Sequence, residues 1–278
     1  MTPITLAHSP DSDDAFMFFG LAGGLVDTEG LVFSHELCDI ESLNRRAMSG
    51  ELDVTAVSFH AYAFLADRYL LLPHGASFGD GYGPVVVSRR KLSREDVTSG
   101  DVVVASPGRR TTAALALALW APGARTVEAP FDQIQPGVAS GHFDAGLLIH
   151  EGQLTFADDG LEEVEDLGRW WKSQTSLPLP LGGNVVRRDL GSEQIARISR
   201  ALRRSIEYGL AHRDAALAHA IGYSRGLDRN RADRFVSMYV NEWTRGYGSE
   251  GRLAVQTLLD RGAAAGRIPA TRAEYADE

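Results

Sequence analysis

Short apolar runs alternate with amphipathic stretches in the first part of the chain. Ile4–His8, Leu31–Glu36 and Asp53–Ser58 are short, mainly apolar segments bounded by polar or turn-forming residues, and they predict β-strands. Glu41–Met48 lies just before Gly50, a residue type that commonly ends helices, so this segment predicts a helix. The alternation favours an α/β fold built on a mostly parallel sheet.

The same order of elements returns after a turn-rich stretch at 80–84. Val102–Ala105 predicts a strand, and Thr111–Trp120 predicts a helix that is apolar on every side and therefore buried. Thr126–Glu128 predicts a further strand, and Asp132–Ala139 predicts the helix that follows it. The second part of the chain thus repeats the β/α order of the first.

One short pattern occurs twice. Ser-Gly-x-x-Asp at 49–53 precedes the apolar strand 54–58, and Ser-Gly-x-x-Asp at 140–144 precedes the apolar strand 145–149. The match arises either by chance or from an internal repeat. A repeat predicts two α/β lobes that face each other, each with a parallel strand that delivers a side chain into the crevice between them.

The last third of the chain changes character. Leu177–Gly183 reads Leu-Pro-Leu-Pro-Leu-Gly-Gly, which excludes a helix and favours an extended crossing. Apolar residues then recur at three- and four-residue steps over Ile195–Leu210, and two more such stretches follow within 235–259. This spacing predicts a helical C-terminal part.

A helical C-terminus that packs on the first lobe makes that lobe discontinuous. We therefore predict a first lobe formed by residues 1–88 and 182–278, with a second lobe inserted at 89–181. The two connections between the lobes would then form a hinge.

Composition narrows the possible functions. The 278 residues, 44% of them hydrophobic, suffice for one large domain or two smaller ones. A net charge of −9 without a dense basic run argues against nucleic acid as a partner. The single cysteine, Cys38, excludes an internal disulfide and a multi-cysteine metal site.

Nothing in the chain points to a membrane. No stretch of about 18 apolar residues is present, as a membrane-spanning helix would require. The N-terminus lacks the basic and apolar segments of a signal peptide, so we expect a cytoplasmic protein. The sequence carries no signal for an oligomeric state.

The start of the predicted helix at Thr111 is a candidate anion site. The preceding strand, the loop with Gly108 and the helix start leave backbone N–H groups and the positive end of a helix dipole exposed. Thr111 or Thr112 can add a hydroxyl donor; alternatively, threonine only caps the helix. No Gly-Lys-Ser/Thr follows and the loop is not a dinucleotide-binding fingerprint, so a phosphate loop is excluded.

His150 is the candidate base. It follows an apolar strand, and a histidine so placed can accept a proton near neutral pH, although a lone histidine also suits a structural role. Ser58 ends the matching strand of the first lobe without a Gly-x-Ser-x-Gly context, which favours hydrogen bonding over nucleophilic attack. His60 and His74 are weaker candidates, and no two histidines have the i, i+4 spacing of a zinc site, so no metal is expected.

Three aspartates open the first predicted helix. Asp11, Asp13 and Asp14 lie where carboxylates are favoured by the helix dipole and can cap backbone amides. We expect this capping role to account for most of them, with one aspartate left to face the crevice.

Several strings in the chain resemble the menaquinone-biosynthesis enzymes of the futalosine pathway. They are spread over nearly the whole chain: Ser-Pro-Asp-Ser-Asp-Asp-Ala-Phe, Val-Thr-Ala-Val-Ser-Phe-His-Ala-Tyr, Pro-Gly-Arg-Arg-Thr-Thr-Ala, Ala-Gly-Leu-Leu-Ile-His-Glu, and Trp-Trp followed by Leu-Pro-Leu-Pro-Leu-Gly-Gly. The resemblance implies a two-lobe, periplasmic-binding-protein-like α/β fold of type II, with the ligand in the cleft between the lobes.

The resemblance also implies roles for individual residues. His150 matches the family's proton acceptor. The implied substrate contacts are Ala56, Val57, Ser58, Thr112 and Ala113. Two segments depart from the family: its usual opening, Ser-Pro-Cys-Pro-Asn-Asp-Thr-Phe, has Asp11 in place of the cysteine here, and Ala56 replaces a common lysine.

The implied reaction is the cleavage of cyclic dehypoxanthine futalosine to 1,4-dihydroxy-6-naphthoate by a lyase that needs no cofactor. The expected partner is therefore a small carboxylate. A chorismate dehydratase-like sister enzyme and a non-catalytic solute-binding protein of the same fold are the alternatives. Ile149-His150-Glu151 favours the naphthoate branch, and a transport receptor would carry an export signal or a lipidated cysteine near its start.

Overall fold

The computed structural model describes residues 3–223 and 227–276, and their strands form two sheets. The strands are β1 (Ile4–His8), β2 (Phe33–Leu37), β3 (Val54–Ser58), β4 (Tyr69–Leu71), β5 (Ser77–Gly79), β6 (Val85–Ser88), β7 (Val103–Ser106), β8 (Arg125–Glu128), β9 (Ala145–Leu148), β10 (Glu162–Asp166) and β11 (Leu179–Arg187). The first sheet has the order β2-β1-β3-β11-β4, with β5 also paired to β11, and the second has the order β10-β6-β9-β7-β8.

Helices flank both sheets. They are α1 (Ser12–Met17), α2 (Phe19–Ala22), α3 (Ile40–Ser49), α4 (Phe59–Tyr62), α5 (Arg94–Thr98), α6 (Thr112–Trp120), α7 (Phe131–Ser140), α8 (Gly152–Thr155), α9 (Leu167–Thr175), α10 (Ser192–Ala211), α11 (Arg213–Ile221), α12 (Arg229–Tyr239), α13 (Glu242–Arg245) and α14 (Gly248–Ala264). Two short 3₁₀ turns occupy Phe156–Asp159 and Arg188–Leu190. Within the described ranges, no helix has the length and apolar character needed to cross a bilayer.

The sheets are mixed rather than mostly parallel. In the first sheet β1 runs parallel to β2 and β3, and in the second β7 runs parallel to β8 and β9. β11 and β6, however, are antiparallel to all the strands that they contact. The chain passes from one lobe to the other at these two strands. They are therefore not joined to their neighbours in the sheet by β-α-β connections, which would make them parallel.

The short internal pattern is a structural repeat. The carboxylate of Asp53 accepts the N–H of Thr5 on neighbouring β1 at 2.9 Å, and that of Asp144 accepts the N–H of Val103 on neighbouring β7 at 3.0 Å. In both units the preceding helix, α3 or α7, ends at a glycine in the left-handed conformation, with φ of 74° and 84°. The repeated residues therefore have the same roles in each lobe. The glycine ends the helix, and the aspartate binds a backbone N–H of the neighbouring parallel strand.

Strand pairing places the crossings close to the segments predicted for them. Val85–Ser88, assigned to the first lobe by sequence, pairs in the second sheet, whereas 179–181, assigned to the second lobe, pairs in the first. A fully buried strand is apolar on both faces in either sheet, so its sequence does not indicate which sheet it joins.

The helical C-terminal part packs against elements of the first sheet's lobe. Helix α10 lies against α1 and α2, and its Ile198, Leu202 and Ile206 join one core with Leu6 of β1. Helix α6 is buried, as its uniformly apolar sequence predicts, because α4, α9 and α14 cover it. Trp120 of this helix belongs to a core that contains residues of both sheets. The lobes are thus joined by apolar packing as well as by the two crossing strands.

The close backbone contact between the start of α9 and the segment before β6 can be tested by mutation. A Cβ on Gly168 would overlap the carbonyl group of Tyr82, in the segment that leads into β6. We predict that Gly168→Ala lowers the free energy of unfolding by about 3 kcal/mol, since backbone must move to make room. Thermal or urea unfolding measures the change. Gly246→Ala, at an extended residue whose nearest foreign atom lies 3.8 Å from the added carbon, is the control. Equal stability of both variants would contradict the prediction.

Candidate functional site

A crevice with about 760 Å³ of empty space lies between the two lobes. Its walls include the segments after β1 and β3 in the first lobe, and the start of α6 and the segment after β9 in the second. Its lining includes Ala56, Val57, Ser58, Thr112, Ala113 and His150, whereas the weaker candidates His60 and His74 are not part of it.

Ser58 is held by a buried amide that sequence reasoning missed. Asn44 on α3 accepts the N–H of Ser58 at 3.0 Å, and its amide nitrogen donates to the Ser58 hydroxyl at 3.3 Å and to the carbonyl of Arg110 at 3.4 Å. The Ser58 hydroxyl keeps its own hydrogen for a ligand. The signal was present in the sequence, because Asn44 shares the buried face of α3 with Leu43 and Ala47.

Neither threonine at the start of α6 offers its hydroxyl hydrogen to an anion, because both hydroxyls donate to backbone carbonyls. Thr111 caps the helix, and its hydroxyl accepts the N–H of the helix's third residue at 3.1 Å. The Thr112 hydroxyl donates to the carbonyl of Leu181 at 2.6 Å and accepts the N–H of His60 at 3.3 Å. It therefore joins the lobes and has no hydrogen left for a ligand. The N–H groups of Thr112 and Ala113 find no acceptor among the residues described, so an anion would meet these amides.

His150 lies in a turn two residues beyond β9, which ends one residue earlier than the predicted strand 145–149. Its φ is +56°, a left-handed conformation that costs a residue with a side chain roughly 1 to 2 kcal/mol. The ring packs against the edge of Phe131, and its Nδ1 lies 3.1 Å from Oδ2 of Asp11 on the opposite lobe. The imidazole keeps 16% exposure.

All three aspartates of the first helix line the crevice, whereas the sequence analysis expected one. Asp14 accepts the N–H of Ser9 at 2.7 Å, and Asp11 occupies the cap position of α1 without capping it. Burial, followed by the negative charge of Asp11, raises the pKa of Asp13 and of Asp14 well above the ordinary range. No cluster of His, Cys, Asp or Glu suited to a metal ion occurs in the described part of the chain.

Two further polar contacts come from residues that no sequence signal marked. The Tyr239 hydroxyl of α12 lies 2.6 Å from the side-chain amide of Gln153 on the other lobe. Asn184 of β11 donates to the carbonyl of Gly75 at 3.1 Å, and its Oδ1 is buried without a partner in the ranges that the structure covers. An acceptor of this kind requires a donor from a ligand or water.

Comparison with known proteins shows the family to which the chain belongs. A model of the menaquinone biosynthesis family matches residues 4–264. The 1,4-dihydroxy-6-naphthoate synthase of Thermus thermophilus is 41% identical over 266 residues, which are 96% of this chain and 96% of that protein. These matches cover both lobes and every residue of the site described above.

Two solved structures share the architecture. The crystal structure of protein AF1704 from Archaeoglobus fulgidus is 48% identical, has a TM-score of 0.91, and is matched over 96% of this chain and 98% of its own. The alkanesulfonate-binding protein SsuA from Xanthomonas axonopodis has a TM-score of 0.71 at 10% identity, over 97% and 95% of the two chains. At this identity the likeness shows the fold alone, which is that of the periplasmic binding proteins.

The buried acids predict a pH-dependent stability. An aspartate whose pKa is raised on folding stabilises the folded state less as the pH rises from the unfolded value near 4 through the folded value. Asp13→Asn should therefore raise the melting temperature, and the gain should grow between pH 5 and pH 8 to roughly 2 to 4 °C, the effect of about 1 kcal/mol.

Thermal melts at both pH values measure this gain. Asp67→Asn, the same exchange at an exposed position, is the control and should show no growing gain. An Asp13→Asn gain that is equal at both pH values would show that the buried carboxyl does not cause it.

Proposed function

Because this chain belongs to the menaquinone biosynthesis family, we propose that it is the lyase that converts cyclic dehypoxanthine futalosine to 1,4-dihydroxy-6-naphthoate. The observation that carries the proposal is that His150 lines the same crevice as Thr112 and Ala113, whose amides have no acceptor among the described residues. A proton acceptor and an anion site in one small-molecule crevice suit a carboxylate substrate that must lose a proton. The Thermus relative's name supports the identity of the product.

The carboxylate of the substrate would bind at the start of α6. The amides of Thr112 and Ala113 point out of the first turn, where the helix dipole favours negative charge. Ser58 contributes a hydroxyl whose hydrogen is free, held in place by Asn44. Such groups recognise a carboxylate without a charged partner and fix the direction in which the rest of the substrate extends.

The sugar-derived part would then face the acidic end of the crevice. Asp13 Oδ1 and Asn184 Oδ1 line the crevice and have no partner among the described residues. Hydroxyl groups of the substrate can donate to both. This arrangement satisfies buried acceptors that otherwise destabilise the folded protein by roughly 1 to 3 kcal/mol each.

His150 would act as the base. It takes a proton from the carbocycle, and the electron pair of that C–H bond becomes part of the ring as the bond to the sugar carbon breaks. The sugar fragment leaves with the electrons of the broken bond and takes up a proton, and aromatisation provides the driving force. The chain contributes a positioned acceptor and a crevice that excludes water.

Two other functions use the same features. The likeness to an alkanesulfonate-binding protein favours a solute-binding role as the second candidate, in which the α6 amides hold an anion and no bond breaks. A chorismate dehydratase-like activity would use the same carboxylate site. Incubation of the purified protein with cyclic dehypoxanthine futalosine and, separately, with chorismate distinguishes the three, because only the proposed lyase releases 1,4-dihydroxy-6-naphthoate.

His150→Asn tests the base. Asparagine tolerates the left-handed backbone of this position better than most residues and can still contact Asp11. We predict that turnover falls about 10² to 10⁴-fold, the contribution expected of a general base, while substrate binding and the melting temperature change little. Single-turnover rates, ligand titration and melting curves on the same variant measure the three effects.

His142→Asn, at an exposed histidine outside the crevice, is the matched control. Near-normal turnover by a folded His150→Asn protein would exclude the base assignment and favour the solute-binding function. A joint loss of affinity and stability would indicate a structural histidine.

Ser58→Ala tests the carboxylate site. Loss of one hydroxyl that donates to a charged group should weaken binding by about 1.5 to 3 kcal/mol, with the larger effect on KM than on kcat. Ligand titration and steady-state kinetics check this. Unchanged affinity would place the carboxylate elsewhere in the crevice.

A further inference from the structure

We infer that Asp11 is a positioning residue that holds the imidazole of His150, from the opposite lobe, in the tautomer whose Nε2 is the proton acceptor. This inference rests on the proposed function, in which His150 is the base. It assigns a role to Asp11, whose side chain the helix α1 does not use as a cap.

The geometry is that of a carboxylate and an imidazole sharing one hydrogen. Oδ2 of Asp11 lies 3.1 Å from Nδ1 of His150, and both side chains are largely buried, with exposures of 3% and 16%. A carboxylate can only accept, so Nδ1 carries the hydrogen and the lone pair of the ring resides on Nε2. Nε2 has no hydrogen-bond partner among the described residues, which leaves it available to a ligand in the crevice that His150 lines.

Asp11 lies at a helix-cap position, but its side chain does not cap the helix. Asp11 is the cap residue of α1 and has the extended backbone of a cap, yet its side chain makes no capping hydrogen bond. Instead its Oδ2 accepts the hydroxyl of Ser9 at 2.5 Å and faces His150. Both partners are thus held in uncommon arrangements, since His150 adopts a left-handed backbone.

Asp11 acts on the carboxyl groups beside it. Burial, followed by the negative charge of Asp11, raises the pKa of Asp13, as do Asp14 and Glu151 to a smaller extent. The negative charge of Asp11 thus favours the protonated form of its neighbours Asp13 and Asp14. An ionised Asp11 also stabilises the imidazolium that forms when His150 takes the substrate's proton.

The contact also links the base to the closed crevice. Asp11 follows β1 in the first lobe and His150 follows β9 in the second, so the pair exists only when the lobes approach as they do here. The competent tautomer would then be selected where the substrate is enclosed.

The first test measures the tautomer and needs no turnover. In protein with ¹⁵N-labelled imidazole rings, nitrogen NMR at alkaline pH should show His150 with the hydrogen on Nδ1, the signal being assigned by its absence in His150→Asn. Asp11→Asn, whose amide can donate as well as accept, should shift His150 toward the other tautomer. A wild-type His150 that carries its hydrogen on Nε2 would overturn the inference, whether or not the variant folds.

The second test uses kinetics with cyclic dehypoxanthine futalosine. Asp11→Asn should lower kcat about 10- to 1,000-fold with little change in KM, the pattern of a lost orienting partner. In the His150→Asn background the same exchange should have no further effect on kcat. The exposed Asp67→Asn variant should keep the wild-type kcat.

The outcomes separate this inference from the proposed function. An unchanged kcat in folded Asp11→Asn, or a loss that persists in the His150→Asn background, would overturn the positioning role and leave the base assignment intact. A wild-type protein that does not turn over the substrate would remove the proposed function, and the NMR measurement would still decide whether Asp11 sets the tautomer of His150.

Discussion

Hydrogen bonds that cross the crevice join polar groups at the open ends of the two sheets, and the geometry of the site depends on them. The Thr112 hydroxyl bonds to Leu181 and His60 of the first lobe, and Asn44 bonds both to Ser58 and to the Arg110 carbonyl. Each such group, buried without its partner, would destabilise the closed form by roughly 1 to 3 kcal/mol. The lobes are thereby held in the register that assembles the crevice.

The two ends of the crevice differ in charge because they are built differently. At the start of α6, backbone amides and the Ser58 hydroxyl supply donors without a charged side chain, which suits an anion. Elsewhere in the crevice, Asp11, Asp13 and Asp14 are enclosed, and burial raises the pKa of Asp13 and of Asp14. A ligand with a carboxylate at one end and hydroxyls at the other matches this polarity.

The internal repeat explains why Ser58 and His150 lie in the same crevice. Asp53 and Asp144 each bind an amide of the neighbouring parallel strand, so β3 and β9 take equivalent places in their sheets. Ser58 ends one unit, and His150 follows the other just beyond its strand. Insertion of the second lobe between β5 and β11 turns the two units toward each other, and the shared core around Trp120 supports that orientation.

The sequence by itself determined the β/α order, the buried α6 and part of the crevice lining, and it offered the internal repeat as one of two explanations, because these follow from hydrophobic period, glycine positions and recognisable strings. Tertiary structure alone decided that β6 and β11 run antiparallel and which sheet each joins, since a fully buried strand is apolar in any neighbourhood. Tertiary structure also set three polar contacts. The Thr112 hydroxyl donates to the carbonyl of Leu181, and the Tyr239 hydroxyl lies beside the side-chain amide of Gln153. The carboxylate of Asp11 contacts His150 and does not cap α1. Each of these contacts joins segments distant in sequence, and a polar side chain's partner is set by the groups that folding brings beside it, for which the local pattern carries no signal.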